Sequence, residues 1–141
     1  MLGPAKAAIR SFIEQGFTAA PPLWPNERID AAEPPARFVA VEVQGVTNDI
    51  RGVGEDGHRL FIHPGIILAH VFTEFGQGEA AADAIADDLS GLLSWQQFNA
   101  PAPPQIVRTH SPTVHDGELN SENGNYWRVT ISVPFDFYYI G

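Results

Sequence analysis

The sequence predicts an α+β domain in the order α-β-β-α-β-β. The expected architecture is one mainly antiparallel sheet of about four strands with two helices packed on one face. Two observations lead there. Residues 4–16 and 78–93 place apolar side chains at helical spacing, and residues 37–44 and 126–140 alternate apolar and polar with a period of two. At 141 residues, a single domain spanning 1–141 with one core is expected.

In the first helix Ala5, Ala8, Ile9, Phe12 and Ile13 share a stripe, with Lys6, Arg10 and Glu14 opposite. Pro4 suits its first turn and Gly16 its exit. The segment TAAPPLWPNERIDAAEPPA that follows holds five prolines and is expected to form a stiff irregular crossing, pinned to the core by Leu23 and Trp24. Arg37–Gln44 reads as the first strand, with Val39, Val41 and Val43 on one face. Residues 45–57 are glycine-rich, lack apolar rhythm and read as a flexible hairpin tip.

HRLFIHPGIILAHVFTEFG reads as a second strand, broken near Pro64. From Gly65 to Phe75 it is apolar on both faces, as in a central strand or one covered by another chain. In the second helix Ala81, Ala82, Ile85, Leu89 and Leu92 form the stripe, and Glu79 and Asp83 suit the positive end of its dipole. Gln105–His115 is a third strand, residues 116–125 a second flexible hairpin tip, and Tyr126–Ile140 the fourth strand. That last strand would extend roughly 50 Å, beyond the diameter of about 37 Å expected for the domain. Its odd positions, from Trp127 to Tyr139, are apolar. Its even positions offer Arg128, Thr130, Ser132 and Asp136. An overshooting strand with a hydrogen-bonding face suits contact with a neighbouring subunit, and its apolar end (Phe135, Phe137, Tyr138, Tyr139, Ile140) then needs a partner to cover it.

Little points to chemistry. There is no cysteine, which excludes disulfides and thiol catalysis. Of the five histidines, His58, His63, His70, His110 and His115, two pairs stand at odd spacing: His58 with His63 and His110 with His115 would face opposite sides of a strand. No zinc or calcium motif occurs, no serine sits in a nucleophile elbow, and GVGEDG (52–57) lacks the lysine and following helix of a phosphate loop. Glu55–Asp56 and Asp87–Asp88 are sequence neighbours that read as solvated faces rather than acid–base dyads. The reading is a non-enzyme with no cofactor and no metal. A net charge of −9 repels phosphates rather than binding them. No membrane segment or signal peptide is expected, and synthesis in the cytoplasm is the simplest reading.

Three segments taken in order carry a resemblance. PLWPNE (22–27), GIILAHVFTEFGQGEAAADAIADDL (65–89) and NYWRVTISVPFDFYY (125–139) resemble the tail terminator-like proteins of long-tailed phages and gene transfer agents. That family shows a W-P-N-E-like element after the first helix, a V-F-x-x-x-G-x-G turn, here Val71-Phe72 to Gly76-Gln77-Gly78, and a W/Y-x-V-x-V-P-F-type strand. Glu74-Phe75 depart from it, standing where relatives often carry proline.

The resemblance implies a virion protein of the tail or neck: a homo-oligomeric ring, usually hexameric, that caps the tail tube, stops its polymerisation and meets the head–tail connector or stopper protein. DNA would pass through without specific binding. Asn48, Asp49, Arg51, Glu118 and Glu122 are the candidates for ring-to-ring contact, and Arg128, Asp136, Phe137, Tyr138 and Tyr139 for contact between subunits. The alternatives are another neck or head-completion ring protein and a small-ligand-binding α+β domain.

Overall fold

The computed structural model describes residues 2–27, 36–46, 51–74, 76, 79–100, 105–118 and 126–141, without the side chains of Asp116 and Glu118. Its elements are α1 (Gly3–Gly16), β1 (Pro22–Leu23), β2 (Arg37–Gly45), β3 (Arg51–Val53), β4 (Leu60–Glu74), α2 (Ala80–Leu93), β5 (Gln97–Asn99), β6 (Ile106–Thr109), β7 (Thr113–Glu118) and β8 (Tyr126–Ile140). The expected four-strand sheet is corrected by this structure. The α+β class holds, but the sheet has eight strands among the described residues and is mixed, because β1 runs parallel to β2. It curls into a half-barrel.

The sheet is organised around two strands of equal length. β4 and β8 pair antiparallel without interruption, from Leu60↔Ile140 to Glu74↔Tyr126. The long strand therefore does not overshoot alone, and its 135–140 end is paired within the subunit. The free edge of β4 is shared by β2, opposite Gly65–Thr73, and β3, opposite Leu60–Ile62. The free edge of β8 is shared by β7, opposite Arg128–Ser132, and β6, opposite Phe135–Tyr138. The single third strand expected over Gln105–His115 is thus two strands laid end to end.

These interruptions explain how two prolines sit in central strands. Val46 donates to the Pro64 carbonyl, and His110 donates to the Pro134 carbonyl. Each proline's missing N–H therefore faces the gap between two flanking strands laid end to end, where no ladder bond is lost. β4 consequently runs straight through Pro64. Gly65 is required beside it: a Cβ there would lie 2.5 Å from the Phe135 ring and 2.7 Å from the Gln44 carbonyl. Phe135, its register partner, covers the glycine.

Residues 45–57, expected as a loop, contain β3, and residues 22–23 of the proline-rich crossing contain β1. The turn from β3 to β4 uses Gly54 and Gly57 at φ +123° and +82°, which glycine adopts without steric cost.

One cluster of buried side chains joins both helices to one sheet face. Ala5, Ala8, Ile9 and Ile13 of α1 and Ala82, Ile85, Ala86, Leu89 and Leu93 of α2 meet Val39, Val41, Ile67, Ala69, Val71, Val107 and the odd positions Val129–Phe137 of β8. The α2 stripe includes Ala86 and Leu93, whereas Ala81 and Leu92 are half-buried. Phe12 stacks on Phe98 of β5, with ring centroids 4.5 Å apart. Trp24 is 7 % exposed and lies under the Arg10 guanidinium, 5.2 Å from its ring. Arg10 is held by Glu27 (2.6 Å) and Glu14 (3.0 Å), which ties the 22–27 segment to α1.

Candidate assembly surface

The second sheet face is covered by neither helix. Even-numbered residues of β4 and β8 point to it, together with Phe38, Ala40, Glu42 and Gln44 of β2. Down β4 it carries Ile62, Pro64, Ile66 and Leu68, all half-buried by their neighbours. A stripe of this kind on one face of an antiparallel sheet departs from the usual apolar-in, polar-out alternation.

An aromatic group closes one end. Phe38 stacks on Phe72 at 4.8 Å and meets Tyr126 edge-on at 5.3 Å, in the offset and T-shaped geometries that aromatic rings favour. At the other end Tyr138 lies beneath the Arg108 guanidinium, 5.9 Å from its ring centre, in the row Arg51–Ile62–Tyr138–Ile106.

Polar groups are built in between. The His70 ring lies between Thr130 and Glu42: Nε2–H donates to the Glu42 carboxylate at 3.2 Å, which leaves Nδ1 to accept from the Thr130 hydroxyl at 2.9 Å. His110 donates through Nε2 to Asp136 at 2.9 Å, and His115 lies 3.4 Å from the Ser132 hydroxyl. His110 and His115 therefore share one face, contrary to their odd spacing, because residues 110–112 interrupt the strand. Among the described residues no group of three His, Asp or Glu side chains could hold a metal ion, and no helix is long and apolar enough to cross a membrane.

His63 is the exception among the histidines. It is 2 % exposed on the helix-covered face, and neither ring nitrogen has a hydrogen-bond partner among the described residues. Burial lowers its pKa, because a charged imidazole loses its hydration there.

No protein-family model matches the chain, and no curated protein matches it. Solved structures do share the fold. One is 18 % identical, with a TM-score of 0.66 over 94 % of each chain, and its name carries no functional description. Another belongs to the virion of a native gene transfer agent particle: TM-score 0.60, 13 % identity, over 99 % of this chain and 100 % of that one. At these identities the likeness is one of fold.

The residues singled out from sequence separate into distinct environments. Arg51 is exposed on β3. Asn48, Asp49 and Glu122 lie outside the described residues, as does the Glu118 side chain, although the Glu118 backbone pairs with Arg128. Arg128, Asp136 and Tyr138 stand on the uncovered face, half-buried. Phe137 does not: it is fully buried in the core and presents no surface to a neighbour. Tyr139 is half-buried on the helix-covered side, stacked on Phe61 at 5.1 Å and Phe137 at 5.3 Å.

Sequence reasoning missed Trp95. It is 69 % exposed, sits at φ +52° and meets the His110 ring edge-on at 5.7 Å. Thr109 fixes this corner, accepting from the Gln96 N–H at 2.7 Å and donating to the Leu93 carbonyl at 2.6 Å. Tryptophan is among the residue types enriched at interfaces, and a solvated one at positive φ is uncommon. Its only sequence signal is a tryptophan that follows the helix stripe and belongs to no strand.

Proposed function

We propose that the protein is a structural component of a tailed-phage or gene transfer agent virion, and within it the tail terminator. In this reading identical copies, six to a ring, cap the tail tube, halt its growth and present the opposite side of the ring to the head–tail connector. The mechanism is association alone. The observation that carries the reading is the match in fold, end to end, to a chain of a gene transfer agent virion, together with the ordered sequence resemblance. The uncovered sheet face supports it, since its apolar stripe, its aromatic end group and its polar groups already fixed by hydrogen bonds suit a buried interface.

Arg128, Asp136, Tyr138 and Tyr139 are the proposed subunit contacts. Asn48, Asp49, Arg51, Glu118 and Glu122 are the proposed contacts between rings. A net charge of −9 lets DNA pass a channel without adhering. The same fold match also supports a neck or head-completion ring.

The test is to add the purified protein to polymerising tail tube protein and to connector protein. A terminator stops tube growth and is found at one tube end. A protein that joins only the connector is a neck ring, and one that joins neither is not part of this junction.

A further inference from the structure

Among the described residues one edge of β2 is only partly paired. On its β1 side Val39 donates to the Pro21 carbonyl, and on its β4 side Val46 donates to the Pro64 carbonyl. Strand alternation therefore turns the N–H and C=O of Val43 and Gly45 towards the β1 side. Yet β1 pairs only with Val39 and Ala40, so among the described residues no strand meets Val43–Gly45. Beside this open edge lies a groove of about 450 Å³, lined by Lys6, Arg10, Trp24, Pro25, Val41 and Val43. Arg10 is occupied by Glu14 and Glu27, whereas Lys6 has no carboxylate partner among the described residues. It is the only lysine in a chain with seventeen acidic residues.

Beyond β8, on the other side of the sheet, β7 pairs among the described residues with β8 alone. Its regular pairing covers Thr113–His115, before an irregularity that precedes Glu118. Its sequence carries Asp116 and Glu118.

We propose that β7 of a second copy adds to the β2 edge at Val43–Gly45, bringing its acidic end to Lys6 in the groove. Among the described residues the two open edges flank the β4–β8 pair on opposite sides, and the regular part of each is about three residues long. A contact between two different surfaces of identical subunits is heterologous, and it closes into a ring when the rotation permits. Main-chain hydrogen bonds would supply the pairing, and the groove would select the acidic strand. The proposal deepens the ring reading and rests on it.

The native chain has no cysteine, so crosslinking can be read cleanly. Gln44 and His115 are exposed and stand on the uncovered face. Side chains on neighbouring strands lie within about 8 Å directly or diagonally. Within one subunit these two positions are three strand spacings, about 14 Å, and four residues along the strands, about 13 Å, apart, or roughly 20 Å in all. A Gln44→Cys/His115→Cys double variant treated with a bis-maleimide of about 8 Å reach should give a ladder of covalent multimers, whereas each single variant should not pass a dimer. Val43→Pro in that background removes an edge N–H that the β4 ladder does not use. It should abolish the ladder while the subunit melts within a few degrees of the parent. Lys6→Glu should reduce the ladder severalfold and leave melting unchanged. Large assemblies without a ladder would overturn the edge pairing and leave the ring standing. Neither assemblies nor ladder at any concentration, alone or with tail tube protein, would overturn both.

Discussion

Replacing His63 with leucine should stabilise the subunit and remove an acid-sensitive component of its stability. The imidazole is 2 % exposed, with both ring nitrogens unpartnered among the described residues. An unsatisfied buried polar group costs about 1–3 kcal/mol, and leucine fills a similar volume with no polar atom. At neutral pH His63→Leu should therefore gain about 1–3 kcal/mol, a rise in Tm of roughly 3–10 °C for a chain of this size. The pH dependence follows from the lowered pKa. The unfolded chain takes up a proton near the ordinary value of 6.5, and the folded imidazole does so only at lower pH. This stability is fully present above 6.5 and is lost as pH falls from there through the folded pKa, at a limiting slope of about 1.4 kcal/mol per pH unit. Urea unfolding of both proteins from pH 7.5 to 5 measures it: the stability difference should widen in favour of the variant as pH falls. A variant less stable than wild type, or two parallel pH profiles, would refute the reasoning.

Phe137→Ala should cost about 3–5 kcal/mol in urea unfolding, because it empties the core. Tyr138→Ala, one residue on but on the uncovered face, should change stability by about 1 kcal/mol or less and weaken assembly in sedimentation. Gly65→Ala should destabilise by about 1–3 kcal/mol through overpacking against Phe135, read as a lower Tm. Thr109→Val should cost about 1–3 kcal/mol by leaving the Gln96 N–H and Leu93 carbonyl unpaired, with early loss of α2 seen by hydrogen exchange.

The helices and long strands were legible because each buries a continuous stripe: Ile9 and Ile13 at helical spacing, Val129 to Phe137 at alternate positions. The short strands were not. β1, β3 and β5 hold two or three residues each, too few for any period, and exist because a longer neighbour offers an edge. Pro64 and Pro134 misled for the opposite reason: their cost depends on which neighbouring strand their missing N–H would face, a property of the register. The same holds for Phe137. Its alternation marked it as inward-facing, yet the strand's apparent overshoot assigned it to a partner, since the equal length of β4 could not be read while Pro64 appeared to break it. In the surface, the His70–Glu42–Thr130 group joins three strands far apart in sequence and left no local motif.

The most direct measurement is sedimentation of the purified protein over a wide concentration range, alone and with tail tube protein, with negative-stain images of the large species. The account expects closed rings of six copies, in free solution or at one end of each tube. A protein that remains a monomer at every concentration and leaves tube length unchanged would contradict it.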